Sequence, residues 1–346
     1  GRNSIVWDMR IATSSIDRET LSKIMLRQSD ANKPEGRLSI VRLLYESERF
    51  KDARLELQKA MREFPELAEL RRLVQELRQR SSQSLIREIQ LRQRAGQHRL
   101  AYHLLSNFPA EEVAGETLER VREMLAEYDT AQEQGKTVHQ LLQTHAAGIE
   151  NAGWRPPIEA VRNEIVADLN INSLDRMADY LRLADDDQLA DEQKLSLAIS
   201  AWLLGSGAGI DNLAVSLSLV EVRNLARRYL RATRKHERDE ILQELAGREG
   251  STPSYVAKLL AHMKPPVETP PLPGDAEPTT PGLRQLSVPG LAGEADITYQ
   301  VQLPPEYDPY RRYPAVVTLN GAGTTPAQQI DWWAGAYSEQ SHARLG

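Results

Sequence analysis

Asn320-Gly321-Ala322-Gly323 closes an apolar run, Ala315-Val316-Val317-Thr318-Leu319. A buried strand that runs into a glycine-rich turn can aim backbone N–H groups at a reacting oxygen. The chemistry would be stabilisation of an oxyanion formed on an attacked carbonyl. It requires donors about 3 Å from the developing charge, and glycine permits the turn. Gly321, Ala322 and Gly323 are therefore the candidate oxyanion-hole donors. Asn320, Trp332 and Trp333 are candidate substrate-pocket residues, the tryptophans lying on or near a helix entered through Thr324-Thr325-Pro326. Core packing suits a tryptophan there equally well. A plain strand-to-helix turn of another α/β fold would also satisfy this spacing.

Other constellations carry less chemistry. Gly205-Ser206-Gly207-Ala208-Gly209 looks like a phosphate-cradling loop, but a helical segment precedes it and no Lys-Ser or Lys-Thr follows. It reads as a flexible break between helices. Asp185-Asp186-Asp187 with Asp191 and Glu192 lacks the Gly and Glu positions of a calcium loop and reads as a solvated helix start. The seven histidines form no metal-ligand spacing, so no metal and no cofactor is assigned. Arg223, Arg227, Arg228, Arg231, Arg234, Lys235 and Arg238 make a basic helix face. Interspersed acids and few aromatics make it a solvated or internally paired face rather than a nucleic-acid surface.

The elements that position these residues are mostly helices. Asp17 is a suitable N-cap, with Ile16 and Leu21 as a hydrophobic staple. Leu38, Val41, Leu44 and Tyr45 share one helical face, and Phe50, Ala53, Leu57, Ala60, Met61 and Phe64 share a second. Pro65 ends that helix. A weaker hairpin lies at 90–109, with Gly96, Ala101, Leu104, Leu105 and Pro109. Helices are expected at 114–150, 157–168, 172–183, 190–204, 211–233, 236–248 and 252–263. Gly153 to Pro157 should break the pattern. Asn172 or Ser173 can cap one helix, and Thr252-Pro253 reads as N-cap and N1 of the last. Residues 4–13 alternate as a strand. Residues 264–282 are proline-dense and read as an extended linker. Leu286-Ser287-Val288 and Ile297 to Leu303 read as strands, and Leu303 to Pro309 as the stop after the second.

Two resemblances follow from these residues. LLYESERFKDARLELQKAMREFP, residues 43–65, resembles a tetratricopeptide repeat, with small residues at Ala53 and Ala60. Glu48 stands near the place of the usual turn glycine. The second hairpin is spaced more widely than the ~34 residues of the ordinary repeat. The array is therefore an irregular α-solenoid. The stretch YQVQLPPEYDPYRRYPAVVTLNGAG, residues 299–323, resembles the opening of the α/β-hydrolase family, with Asn320 where the family usually has His. That resemblance covers about the last sixty residues. It implies a serine esterase, or a prolyl-oligopeptidase-like peptidase, with Ser, His and Asp or Glu. No G-x-S-x-G occurs in the chain; the nearest run has Leu204 in place of its first glycine. No catalytic residue is therefore assigned here.

The expected architecture is mainly α. It comprises a remnant of an upstream segment at 1–16, a helical-repeat domain at 17–263, the linker at 264–282 and an incomplete α/β-hydrolase domain at 283–346. The linker should leave the helical module to fold independently. A net charge of −6 disfavours nucleic acid as a partner. No apolar run is long enough for a membrane span; the best, Leu195 to Leu204, carries Ser196 and Ser200. Zero cysteines exclude disulfides, and the compartment stays open between cytoplasm and export. The leading expectation is a piece of a multidomain serine hydrolase, whose ester or peptide substrate belongs to the complete parent. The alternative is a non-catalytic helical-repeat scaffold that binds a protein or peptide.

Overall fold

A computed structural model describes residues 16–27, 30, 32–111, 113–266, 281–291, 294–335, 337–338 and 343–344. The expected strand at 4–13 lies outside them. The protein is mainly α, with 65% of the chain helical. Its residues form two compact units, 1–94 with 100–126, and 95–99 with 127–346.

The first unit contains α1 (Arg18–Leu26), α2 (Pro34–Glu46), α3 (Phe50–Glu63) and α4 (Arg71–Arg94), and shares α5 (His98–Ser106) and α6 (Gly115–Ala147) with the second. Asp17 caps α1 by accepting from the Thr20 amide at 2.9 Å. Ile16 and Leu21 both join the cluster of Ile40, Val41, Leu44, Phe50, Ala53, Leu57 and Leu77. Ala53 and Ala60 are fully buried, as expected of small residues where two helices approach closely. The hairpin at 37–66 is thus as its periodicity predicts. The second differs: its first helix, α4, begins at Arg71 and runs 24 residues before the Gly96 turn.

The α2–α3 turn explains the missing glycine. The Glu48 amide donates to Tyr45 O and the Arg49 amide to Leu44 O, the paired bonds of a Schellman C-cap. That motif needs a left-handed residue at Glu48, which takes φ +57°. A side chain there costs about 1–2 kcal/mol. Glu48→Gly should raise stability by about 0.5–1 kcal/mol, the gain being reduced by glycine's freedom in the unfolded chain. Urea unfolding followed by helical circular dichroism measures it. A loss of stability would mean that the Glu48 side chain contributes more than its backbone strain costs.

The second unit holds α7 (Arg155–Asp168), a 3-10 turn at Leu174–Met177, α8 (Ala178–Leu183), α9 (Asp191–Leu204), α10 (Leu213–Arg231), α11 (Lys235–Ala246) and α12 (Pro253–His262). The expected break is present, α6 ending at Ala147 and α7 beginning at Arg155, but Pro156 and Pro157 belong to α7 and not to the break. They sit in the first turn of α7, where a missing N–H leaves no bond unmade. Thr252 caps α12 through the Tyr255 amide, as its sequence predicts. Residues 172–183 form the 3-10 turn and the short α8 instead of one helix.

The core gathers around α9, which is buried on every side from Lys194 to Leu204. Such a helix lies at the centre of its unit. Ser196 and Ser200 tolerate that burial because each hydroxyl finds an acceptor. Ser196 Oγ donates to Ile210 O at 2.6 Å and Ser200 Oγ to Ser196 O at 2.7 Å. Among the described residues, no helix is long and apolar enough to cross a membrane.

After the proline-dense stretch, β1 (Leu283–Val288) pairs antiparallel with β2 (Ile297–Gln302), Leu283 opposite Gln302 and Val288 opposite Ile297. α13 (Pro326–Ala334) follows, and β3 (Tyr337–Ser338) pairs with β4 (Ala343–Arg344). The strand expected at Ala315 to Leu319 is not formed. A strand exists only by pairing, and among the described residues nothing pairs with this run.

Candidate functional site

The glycine-rich turn has defined geometry. The Thr324 amide donates to Gly321 O at 3.1 Å, closing a four-residue turn with Ala322 and Gly323 at its centre. Gly323 takes φ +83°, the sign a type II turn demands at its third position. Thr324 Oγ1 also donates to Gly321 O, and Asn320 Nδ2 donates to Thr324 O at 3.2 Å. Thr325 then caps α13, its side chain accepting from the Gln328 amide while Gln328 reaches back to the Thr325 amide. Among the described residues, no acceptor faces the amides of Ala322 and Gly323. The arrangement therefore presents unspent backbone donors beside a helix N-terminus, where an oxyanion is favoured.

The two tryptophans expected to line a substrate pocket are exposed. Trp332 and Trp333 lie on α13, 82% and 59% exposed. Val317 and Leu319 are 87% and 89% exposed. Asn320 joins the turn through Thr324 alone.

A second constellation lies within the second unit. Leu303 to Pro309, read from sequence only as a strand stop, begins a strap that packs on the helices. The strap and these helices belong to the same compact unit. The Glu306 carboxylate accepts from the Arg99 amide at 2.8 Å, capping α5. Asp308 is 6% exposed and accepts from Asn172 Nδ2 at 3.1 Å and from the Tyr310 amide at 2.9 Å. Tyr310 OH donates to Asp168 Oδ2 at 2.9 Å, and Lys264 Nζ donates to Asp168 Oδ1 at 2.7 Å. Arg311 donates to Asn172 Oδ1 at 2.9 Å. Asn172, expected as a helix cap, is instead the hub of this strap.

The Asn172 amide fixes a tautomer. Its Oδ1 can only accept, so His98 Nε2 carries a proton and donates across 3.0 Å. Nδ1 of the neutral ring then accepts from Tyr128 OH at 3.1 Å. Burial lowers the His98 pKa, which favours this neutral form. Burial, then the Asp168 bond, pushes Tyr310 far up, so its phenol remains a donor. The Tyr310 ring meets Trp202 edge-on at 5.3 Å, with the Arg176 guanidinium 4.7 Å from its centre. The left-handed backbone at Gly96 favours glycine. Its φ is +80°, and a Cβ there would lie 2.6 Å from Arg311 Nε. Between the Gly96–Arg99 turn, the Ala167–Asn172 loop and the strap lies a cleft of about 270 Å³.

One sequence signal pointed to the strap. The chain is only 5% aromatic, yet Tyr307, Tyr310 and Tyr313 fall within seven residues. Rings at that density among prolines need a surface to cover them.

The remaining constellations are structural. The Gly207 amide donates to Asp179, making 205–209 an anchored break. The basic face is largely paired within the unit: Arg223 with Glu164, Arg228 with Glu244, and Arg238 against the Tyr229 ring and Ala232 O. Compared with known proteins, the chain matches no family model, no curated protein and no solved structure.

Proposed function

We propose that residues 283–346 supply the oxyanion side of a serine hydrolase acting on an ester or amide carbonyl, and that the helical region serves interaction or substrate presentation. The observation that carries this is the turn at Gly321 to Thr324. Its central amides are unspent, and it leads directly into a capped helix. On this reading the nucleophile, base and acid lie outside residues 1–346, since no elbow motif occurs among them.

Ala322→Pro is the sharpest test. It removes one donor at the turn position where proline fits best. Gly321→Pro, whose φ is not positive, is its companion. In a protein carrying this segment together with a triad, each should lower kcat by about 10²–10³ with the melting temperature unchanged. Wild-type turnover in both folded variants would sink the assignment. Labelling of the 346-residue chain itself by a serine-directed fluorophosphonate would place the nucleophile inside it.

A non-catalytic helical scaffold is the second reading. What favours it is that the helices of the second unit carry a peptide segment, Glu306 to Arg311, on their surface.

A further inference from the structure

We propose that the helical surface of the second unit beneath the strap is a peptide-recognition site, and that its resident occupant is the chain's own Pro305–Arg311. The segment is held there as a ligand and not by chain connectivity alone. This goes beyond the scaffold reading by naming the occupant and its chemistry, and it is independent of the hydrolase reading.

The contacts are those of a ligand in a site. The charged side chains of the segment, and its half-buried tyrosine, are met by three separate stretches of the chain. Glu306 meets the first turn of α5, Asp308 and Arg311 meet opposite ends of the Asn172 amide, and Tyr310 meets Asp168 at the end of α7. The aromatic ring enters a surface made by Trp202 of α9, Arg176 of the 3-10 turn and Lys264 after α12. A buried carboxylate without its partners would cost several kcal/mol, so Asp308 specifies this placement. The backbone is prepared for it. Asp308 Oδ1 accepts from the Tyr310 amide, Asp308 O from the Arg311 amide, and Tyr313 OH accepts from the Asp308 amide. Pro305 and Pro309 restrict the segment further, which lowers the entropy lost on docking. The chemistry recognised is a carboxylate, then proline, tyrosine and arginine in consecutive order.

The test uses the full chain and a fluorescein-labelled peptide of residues 304–313. In the Asp308→Ala/Tyr310→Ala chain the resident segment is disabled and the helical surface beneath it is unaltered. The peptide should bind this chain at least ~10-fold more tightly than wild type, where the tethered copy competes at millimolar effective concentration. Adding Asn172→Ala to the disabled chain should abolish binding, and a peptide with alanine in place of the aspartate should bind at least ~10-fold more weakly. Equal binding to wild type and the disabled chain, or none to a disabled chain with full helical circular dichroism, overturns the proposal. If the disabled chain loses its helices, hydrogen exchange on the unaltered chain decides. Slowed exchange at the Arg99, Tyr310 and Arg311 amides supports a seated segment, and exchange at free-peptide rates overturns it.

Discussion

Trp202→Ala is expected to destabilise the second unit by about 3–5 kcal/mol, the range for truncating a buried tryptophan. Trp202 is 1% exposed and is the largest of the fully buried side chains. Three losses coincide in the variant. A cavity opens on α9, where packing is continuous around the helix. Glu164 Oε1 loses the indole donor at 3.3 Å. Tyr310 loses its edge-to-face partner, so the strap loosens with the core. In urea the midpoint should fall with the slope unchanged, because the surface exposed on unfolding is nearly the same. Trp332→Ala, at an exposed ring, should stay within about 0.5 kcal/mol of wild type. Equal effects from the two substitutions would contradict the placement of Trp202 at the centre.

Glu164→Ala should cost about 2–4 kcal/mol. Breaking a buried ion pair from one side strands the other charge, and partial exposure of Glu164 places the effect toward the low end. Arg223 is the stranded group. Its side chain is 6% exposed, and its guanidinium grips both carboxylate oxygens, NH2 to Oε2 at 2.8 Å. The diagnostic comparison is the double variant Glu164→Leu/Arg223→Met, which removes both charges and refills the space. It should recover most of the stability that Glu164→Ala loses. A double variant no better than Glu164→Ala would show that packing around the pair, and not the unpaired cation, sets the cost. Trp202 and Glu164 share a hydrogen bond, so their effects should not add.

The helical part was legible because its signals are local. The Asp17 and Thr252 caps, the faces of α2 and α3, and Pro65 each act within a few residues. Errors arose where a residue's role is set by a distant partner. Asn172 has the composition of a cap, yet its amide is spent on Asp308 and Arg311, more than 130 residues away. The apolar run at Ala315 reads as a strand from its side chains, but pairing depends on a neighbour that no local pattern specifies. Arg223 was read with its neighbours as a solvated or internally paired face; it is the member that turns inward, because Glu164 on α7 lies opposite it. The candidate site divides the same way. The turn and the α13 cap are local and were legible, whereas the surroundings of Trp332 and Trp333 depend on tertiary contacts.

Chain length between the strap and its partners also orders events during synthesis. The bond from the Arg99 amide to Glu306 spans 207 residues, and that from Asn172 to Asp308 spans 136. At roughly 5–20 residues per second, a ribosome needs about 10–40 s after making Arg99 to supply its acceptor. Throughout that interval the start of α5 lacks the Glu306 carboxylate, and once Asn172 and Trp202 are made they wait for Asp308 and Tyr310. The α2–α3 hairpin closes on itself almost as soon as it emerges. The helices of the second unit gain these contacts only when translation reaches the strap.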